Sequence, residues 1–269
     1  MCRKRQTPDA RIMEIRYYRA KITRETAAPP QSALPQALVK QVSPLRYGAV
    51  VRRLAAVAGC VLLSVSVSLA EVNFSRLQAV ALARYGAQTV ALAAQWQAEI
   101  EAMKALPDAE KLARANRFFN ANIRWVSDET AWQKADYWAT PLELMGARMG
   151  DCEDFAIAKY LTLILAGMDV AKLRITYVKL RGANLPAMES QAHMVLAYYA
   201  TPRAEPLILD NVIPEIHSAS RRTDLTPIYG FNSQGLWVGG AANPASTEPE
   251  ARLSRWRDLL RRAAAEGLG

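Results

Sequence analysis

Cysteine is scarce in this chain of 269 residues. There are three, and two of them, Cys2 and Cys60, lie within the first 60 positions. Beyond them only Cys152 remains, so no intrachain disulfide can staple the rest, which is long enough to rely on a packed core. Histidine is scarcer still. His193 and His217 are the only two, and no His-Glu-x-x-His pattern occurs, which disfavours a zinc hydrolase. Net charge is missing where it would matter. The chain carries +9 overall, yet residues 1–70 hold 12 Lys and Arg against 3 Asp and Glu, whereas residues 71–269 hold 22 of each. The basic excess therefore belongs to the N-terminal segment, and the remainder loses the main argument for a nucleic-acid partner. Internal repeats are absent. The one sustained apolar run, Leu54 to Leu69, is too short and too rich in Ser and Ala for a membrane span.

That run reads instead as an export signal. Arg52-Arg53 precede it and Ser68-Leu69-Ala70 end it, with small residues at the −3 and −1 positions, so cleavage is predicted after Ala70. Residues 1–45, with Pro29-Pro30 and Pro35, fit no secretory leader. They read as the product of a start codon placed too far upstream, or as a disordered basic tail. Removal of residues 1–70 leaves a chain that is not an integral membrane protein. Residues 71–240 then form one domain. Residues 241–269 form a linker and an amphipathic C-terminal helix through Leu253, Trp256, Leu259 and Leu260, expected to be a docking or surface element.

Helical spacing dominates the first half of that domain. Leu77, Val80, Leu82, Val90, Leu92 and Trp96 recur at helical intervals, with Gly86 dividing them, and Pro107-Asp108 opens a further helix. Thr140-Pro141-Leu142-Glu143 is a capping box with proline at the first helical position. After Gly167 the pattern changes to strands: Leu173 to Leu180, Gln191 to Ala200 and Leu207 to Val212, with short loops between them, then a final hairpin around Tyr229 and Trp237. Helices followed by an antiparallel meander make an α+β fold.

Between the two halves lies Gly150-Asp151-Cys152-Glu153-Asp154, leading into an apolar helix. A cysteine in a helix's first turn meets unpaired N–H groups and the positive end of the dipole, which favour the thiolate. Three adjacent carboxylates oppose it. A divalent cation held by those oxygens would reverse their effect, and oxygen-rich acidic clusters suit calcium or magnesium. The plainer reading is a buried structural cysteine beside an acidic helix start. A thiol nucleophile also needs a base and a group to orient it. His193, mid-strand among apolar neighbours, is the better candidate for the base, against the reading of a satisfied core histidine. His217 sits in a polar loop with Arg221 and Arg222 and reads as solvated. Asp210 ends the strand after that of His193 and can lie beside it, although aspartate is common at strand ends.

In this order the residues resemble the papain-like transglutaminase core, and more closely the bacterial transglutaminase-like cysteine peptidases of the LapG type. The likeness rests on Asp136 to Glu143, Gly150 to Tyr160, Leu173 to Val178, Gln191 to Tyr199 and Leu209-Asp210-Asn211. It covers roughly residues 110–240. The resemblance implies a periplasmic, calcium-dependent protease that cuts a large surface adhesin near its N-terminus and disperses biofilm. It also implies an inner-membrane cyclic di-GMP receptor of the LapD type as sequestering partner. Carried over by motif, Cys152 matches the nucleophile, His193 the base and Asp210 the orienting acid. Asp151 and Glu153 match the acidic pair implicated in calcium binding, with Asp154 as a further candidate. Acyl transfer to an amine on the same three residues, and a non-catalytic calcium-responsive binding module, are the competing readings.

Overall fold

Asn73 starts the first helix by accepting a hydrogen bond from Arg76 N–H through its side chain, at 2.8 Å. That helix, α1 (Phe74–Tyr85), ends at Gly86, whose φ of 84° lets the chain turn directly into α2 (Ala87–Met103). These coordinates are those of a computed structural model, which describes residues 72–182, 191–247, 249 and 253–269. The segment expected to be a leader, residues 1–70, lies outside the described residues. Pro107, Asp108 and Glu110 open α3 (Asp108–Asn122) with acids in the first turn, where the helix dipole favours them. Two-residue strands β1 (Arg124–Trp125) and β2 (Met149–Gly150) pair in parallel. Between them lie the short helices α4 (Asp128–Trp132) and α5 (Pro141–Ala147), the second opened by the Thr140–Glu143 capping box.

The central element is α6 (Cys152–Leu165). It is apolar on nearly every side and buried from Glu153 to Tyr160, which is how a helix wrapped by other elements must read. α3 packs against it from one direction and the sheet from another. Trp96 of α2 donates to Thr162 Oγ1 at 2.7 Å, giving a buried indole N–H its partner. Each fully buried side chain of this kind, such as Leu112, Phe119 or Leu163, contributes about 1.5–3 kcal/mol.

A turn of 3₁₀ helix leads into β3 (Leu173–Leu180), followed by β4 (Gln191–Tyr198), β5 (Leu207–Leu209) and β6 (His217–Ser218). β7 (Leu225–Phe231) and β8 (Leu236–Val238) complete the sheet. Its order is β6-β5-β4-β3-β7-β8 and every pairing is antiparallel, so the fold is α+β. β5 pairs only with the far part of β4, Leu196 to Tyr198, so Gln191 to Val195 run beyond its end. That short partner opens the place where the site forms.

α7 (Ser254–Glu266) differs from the expectation of a docking or surface element. Trp256, Leu259 and Ala263 are buried, with the Trp256 ring edge-on to Tyr160 and Phe231 at 5.8 and 5.4 Å. Its polar side is tied down as well. Arg262 bonds Glu143 and donates to Trp138 C=O at 2.6 Å, Glu266 accepts from Thr140 Oγ1 at 2.5 Å, and Arg255 pairs with Asp136 at 3.1 Å. Three side chains of one helix therefore hold residues 136–143. Among the described residues no helix is long and apolar enough to cross a membrane.

Candidate active site

Cys152 is the first residue of α6, delivered by the loop after β2. Gly150 is needed there for lack of space: a Cβ would lie 2.5 Å from Asp154 Oδ2 and 2.6 Å from Leu144 Cδ1. Asp154 closes the start of the helix. Its carboxylate accepts from Ala139 N–H at 2.7 Å, from the Trp132 indole at 3.1 Å and from Asp151 N–H at 3.4 Å. The Cys152 thiol donates to Glu153 Oε2 at 2.9 Å, and the backbone N–H of Met194 also bears on its sulfur. Burial pushes the thiol up, Glu153 and Asp151 push it further, and only the Met194 N–H pulls the other way.

Met194 follows His193, so β4 brings the histidine's chain position against the sulfur. The His193 ring is buried, with Nε2 2.8 Å from Asp210 Oδ1. Asp210 sits just past the end of β5, where the short loop between β4 and β5 returns it beside His193. Burial disfavours its charge. The hydrogen bonds from His193, Val212 N–H and Arg222 outweigh that and hold the carboxyl well below its usual range. An ionised Asp210 can only accept, so Nε2 carries a proton, and in the neutral ring Nδ1 is then the nitrogen with the lone pair. The Arg222 guanidinium, buried behind, donates to Asp210 Oδ2 at 2.8 Å and to Asp224. No hydrogen bond joins the Cys152 sulfur to the His193 ring; the thiol proton is directed to Glu153.

Lys159 supports the same loop from below. Its amine is fully buried on α6 and donates to Asp210 C=O at 3.0 Å. Burial lowers its pKa from 10.5 to about 7, against the pull of Asp210. Between those two values the unfolded chain binds the extra proton, so stability rises with pH across that window and the buried charge is a cost below it. Lys159→Met should abolish this slope, at most about 1.4 kcal/mol per pH unit, in urea midpoints measured from pH 6.5 to 10. An unchanged slope would show that another group titrates there.

The acids gather more widely than the run of three. Asp128, at the start of α4, and Asp136 join Asp151, Glu153 and Asp154. The sets Asp128–Asp151–Asp154, Asp128–Asp136–Glu153 and Asp151–Cys152–Glu153 each place their ligand atoms within 4.8 Å of one another. Asp151 Oδ1 is buried without a hydrogen bond. Burial, then Glu153, Asp154 and Asp128, push Asp151 up to about 11, so on its own it would hold a proton at neutral pH. A donor set made of carboxylate oxygens, one of them unsatisfied, fits a hard divalent cation such as calcium. The residues present therefore suit the ion.

Sequence reasoning reached Asp151, Glu153 and Asp154 but not Asp128, Asp136 or Arg222. Asp128 offers no local signal beyond the polar pair Asp128-Glu129. Asp136 opens one of the segments that carry the family likeness, and that was the available signal. Arg222 had been grouped with the solvated loop around His217, which is itself half-buried in β6 opposite Ile208.

Comparison with known proteins agrees with this arrangement. Residues 80–230 match the family described as bacterial transglutaminase-like cysteine proteinase. Calcium-bound LapG of Legionella pneumophila is 37% identical, with a TM-score of 0.60, over 71% of this chain and 98% of its own. EGTA-treated LapG of the same organism is 37% identical with a TM-score of 0.61, over 71% and 97%. Among curated proteins none is similar to this chain. The chain is a cysteine peptidase, a member of the bacterial transglutaminase-like cysteine proteinases.

Proposed function

We propose that the chain is a calcium-dependent periplasmic endopeptidase that cuts a large surface adhesin in its N-terminal region, with Cys152, His193 and Asp210 as its reacting groups. One observation carries this reading: His193 is bonded to an ionised Asp210 and immediately precedes the N–H that bears on the Cys152 sulfur. His193 Nδ1 takes the thiol proton, and the Cys152 sulfur attacks the peptide carbonyl. His193 then returns the proton to the departing amine, leaving a thioester that water hydrolyses. Asp210, fixed by Arg222 and the N–H groups of Asn211 and Val212, keeps the ring in the required tautomer. N–H groups at the start of α6, including that of Cys152, receive the oxyanion.

Asp128, Asp136, Asp151 and Glu153 would hold the ion, with Asp154 committed mainly to the helix start. Bound there, calcium would neutralise the acids that oppose a thiolate. A LapD-type cyclic di-GMP receptor as partner, and release of the adhesin in biofilm dispersal, belong to the same reading, which rests here on likeness to LapG.

The test is digestion of an N-terminal adhesin fragment in calcium. Wild-type chain should give two products from one defined site, and Cys152→Ala none. An intact fragment, or equal cutting by Cys152→Ala, contradicts the proposal.

A further inference from the structure

Four large apolar side chains stand exposed on the described surface, and the only aromatic one is Trp125, 59% accessible. A single exposed apolar side chain is ordinary, but tryptophan's broad amphipathic ring suits an interface, and the position of this one decides what it can meet. Trp125 lies on β1, directly opposite Gly150 of β2, two residues before Cys152. The other residue of β1, Arg124, is exposed as well.

The backbone of β1 adds a second, independent feature. Its rungs to β2 use Arg124 N–H, bonded to Arg148 C=O at 3.0 Å, and Val126 N–H, bonded to Gly150 C=O at 2.9 Å. Successive residues of a strand direct their N–H and C=O groups to opposite edges. The amide groups of Trp125 therefore face away from β2, along an edge whose residues are exposed. A donor, an acceptor and an aromatic plane thus share one residue, on the strand beside Gly150, which precedes the nucleophile by two positions.

From this placement we infer that β1 is a substrate-binding edge. An extended peptide adds there as a strand, bonding the N–H and C=O of Trp125, while an apolar side chain two or three positions from the scissile carbonyl packs on the indole. The ligand class is an extended, unfolded peptide segment with an apolar residue at that position. Globular or charged segments are poor ligands. This inference rests on Cys152 being the nucleophile.

Two reagents separate the inference from that premise. Iodoacetamide reports only the reactivity of the Cys152 sulfur, which displaces iodide to form a thioether. A tripeptidyl chloromethyl ketone, with leucine three positions from the ketone, alkylates the same sulfur with loss of chloride but must first bind as a peptide. Labelling of Cys152 is followed by mass spectrometry in the full chain with calcium present. Trp125→Ala should slow the peptide reagent at least tenfold and leave the iodoacetamide rate within twofold, and Trp125→Phe should restore most of the loss. Wild type should prefer the leucine reagent over its glycine counterpart, and Trp125→Ala should not. Equal rates for wild type and Trp125→Ala with the peptide reagent overturn the inference, as does a parallel fall with both reagents. Failure of the endopeptidase reading would appear differently, as an uncut adhesin fragment alongside normal labelling. Because Trp125 is exposed, thermal unfolding of Trp125→Ala should match wild type.

Discussion

His193→Ala should reduce cleavage of the adhesin fragment by two to four orders of magnitude, the range spanned by loss of a positioned general base, while the protein stays folded. The geometry explains both halves of that result. His193 pairs with Val178 of β3 through its backbone, which the substitution keeps, and β5 does not reach it on the other side, so truncating its side chain breaks no rung of the sheet. Asp210 would keep Arg222, Asn211 N–H and Val212 N–H as partners, and no buried carboxylate would be stranded. Asp210→Asn should cost activity too, but with a folding penalty, because Arg222 is buried and would lose half its anionic support. Single-turnover rates together with thermal midpoints separate the two effects. A rate for His193→Ala within tenfold of wild type would remove the ring from the chemistry.

The acidic cluster should give the second large effect, with opposite signs in the two conditions. Without a cation, Asp151 is crowded by Glu153, Asp154 and Asp128 and pays for burial besides. Asp151→Asn should then be more stable than wild type in a chelator. With calcium at a hundred times its dissociation constant, wild type gains about 2.7 kcal/mol, a rise of roughly 5–10 °C for a domain of this size. Asp151→Asn should gain little. The two melting curves therefore cross between chelator and calcium, and cleavage by Asp151→Asn should stay near its chelated level. A residue that merely capped the helix would weaken the protein in both conditions. Equal calcium shifts in wild type and variant would place the ion elsewhere.

How far the site could be read from sequence depended on how locally each part is built. The cysteine, its acids and the start of α6 are consecutive, so motif and helix rules sufficed. Asp210 was placeable because short loops between successive strands leave few ways to fold, and they put it beside His193. The rest is tertiary. Asp128 and Asp136 reach Glu153 only because the segment between β1 and β2 folds back over the start of α6. Arg222 comes to Asp210 from the turn that follows β6. The C-terminal helix reads as an amphipathic docking or surface element through Leu253, Trp256, Leu259 and Leu260, yet Arg255, Arg262 and Glu266 on its polar side are paired in the fold. Their partners Asp136, Glu143 and Thr140 are more than a hundred positions away, and no local pattern announces such contacts. Its apolar stripe was visible, but what would cover it was not.

These results leave one central dependence: whether the sulfur of Cys152 becomes reactive when its acidic neighbours are neutralised. Its alkylation by iodoacetamide at pH 7, in calcium and then in EGTA, measures this directly. The account predicts at least a tenfold faster reaction in calcium, lost in Asp151→Asn. A rate that is the same in both solutions, or faster in EGTA, would contradict it.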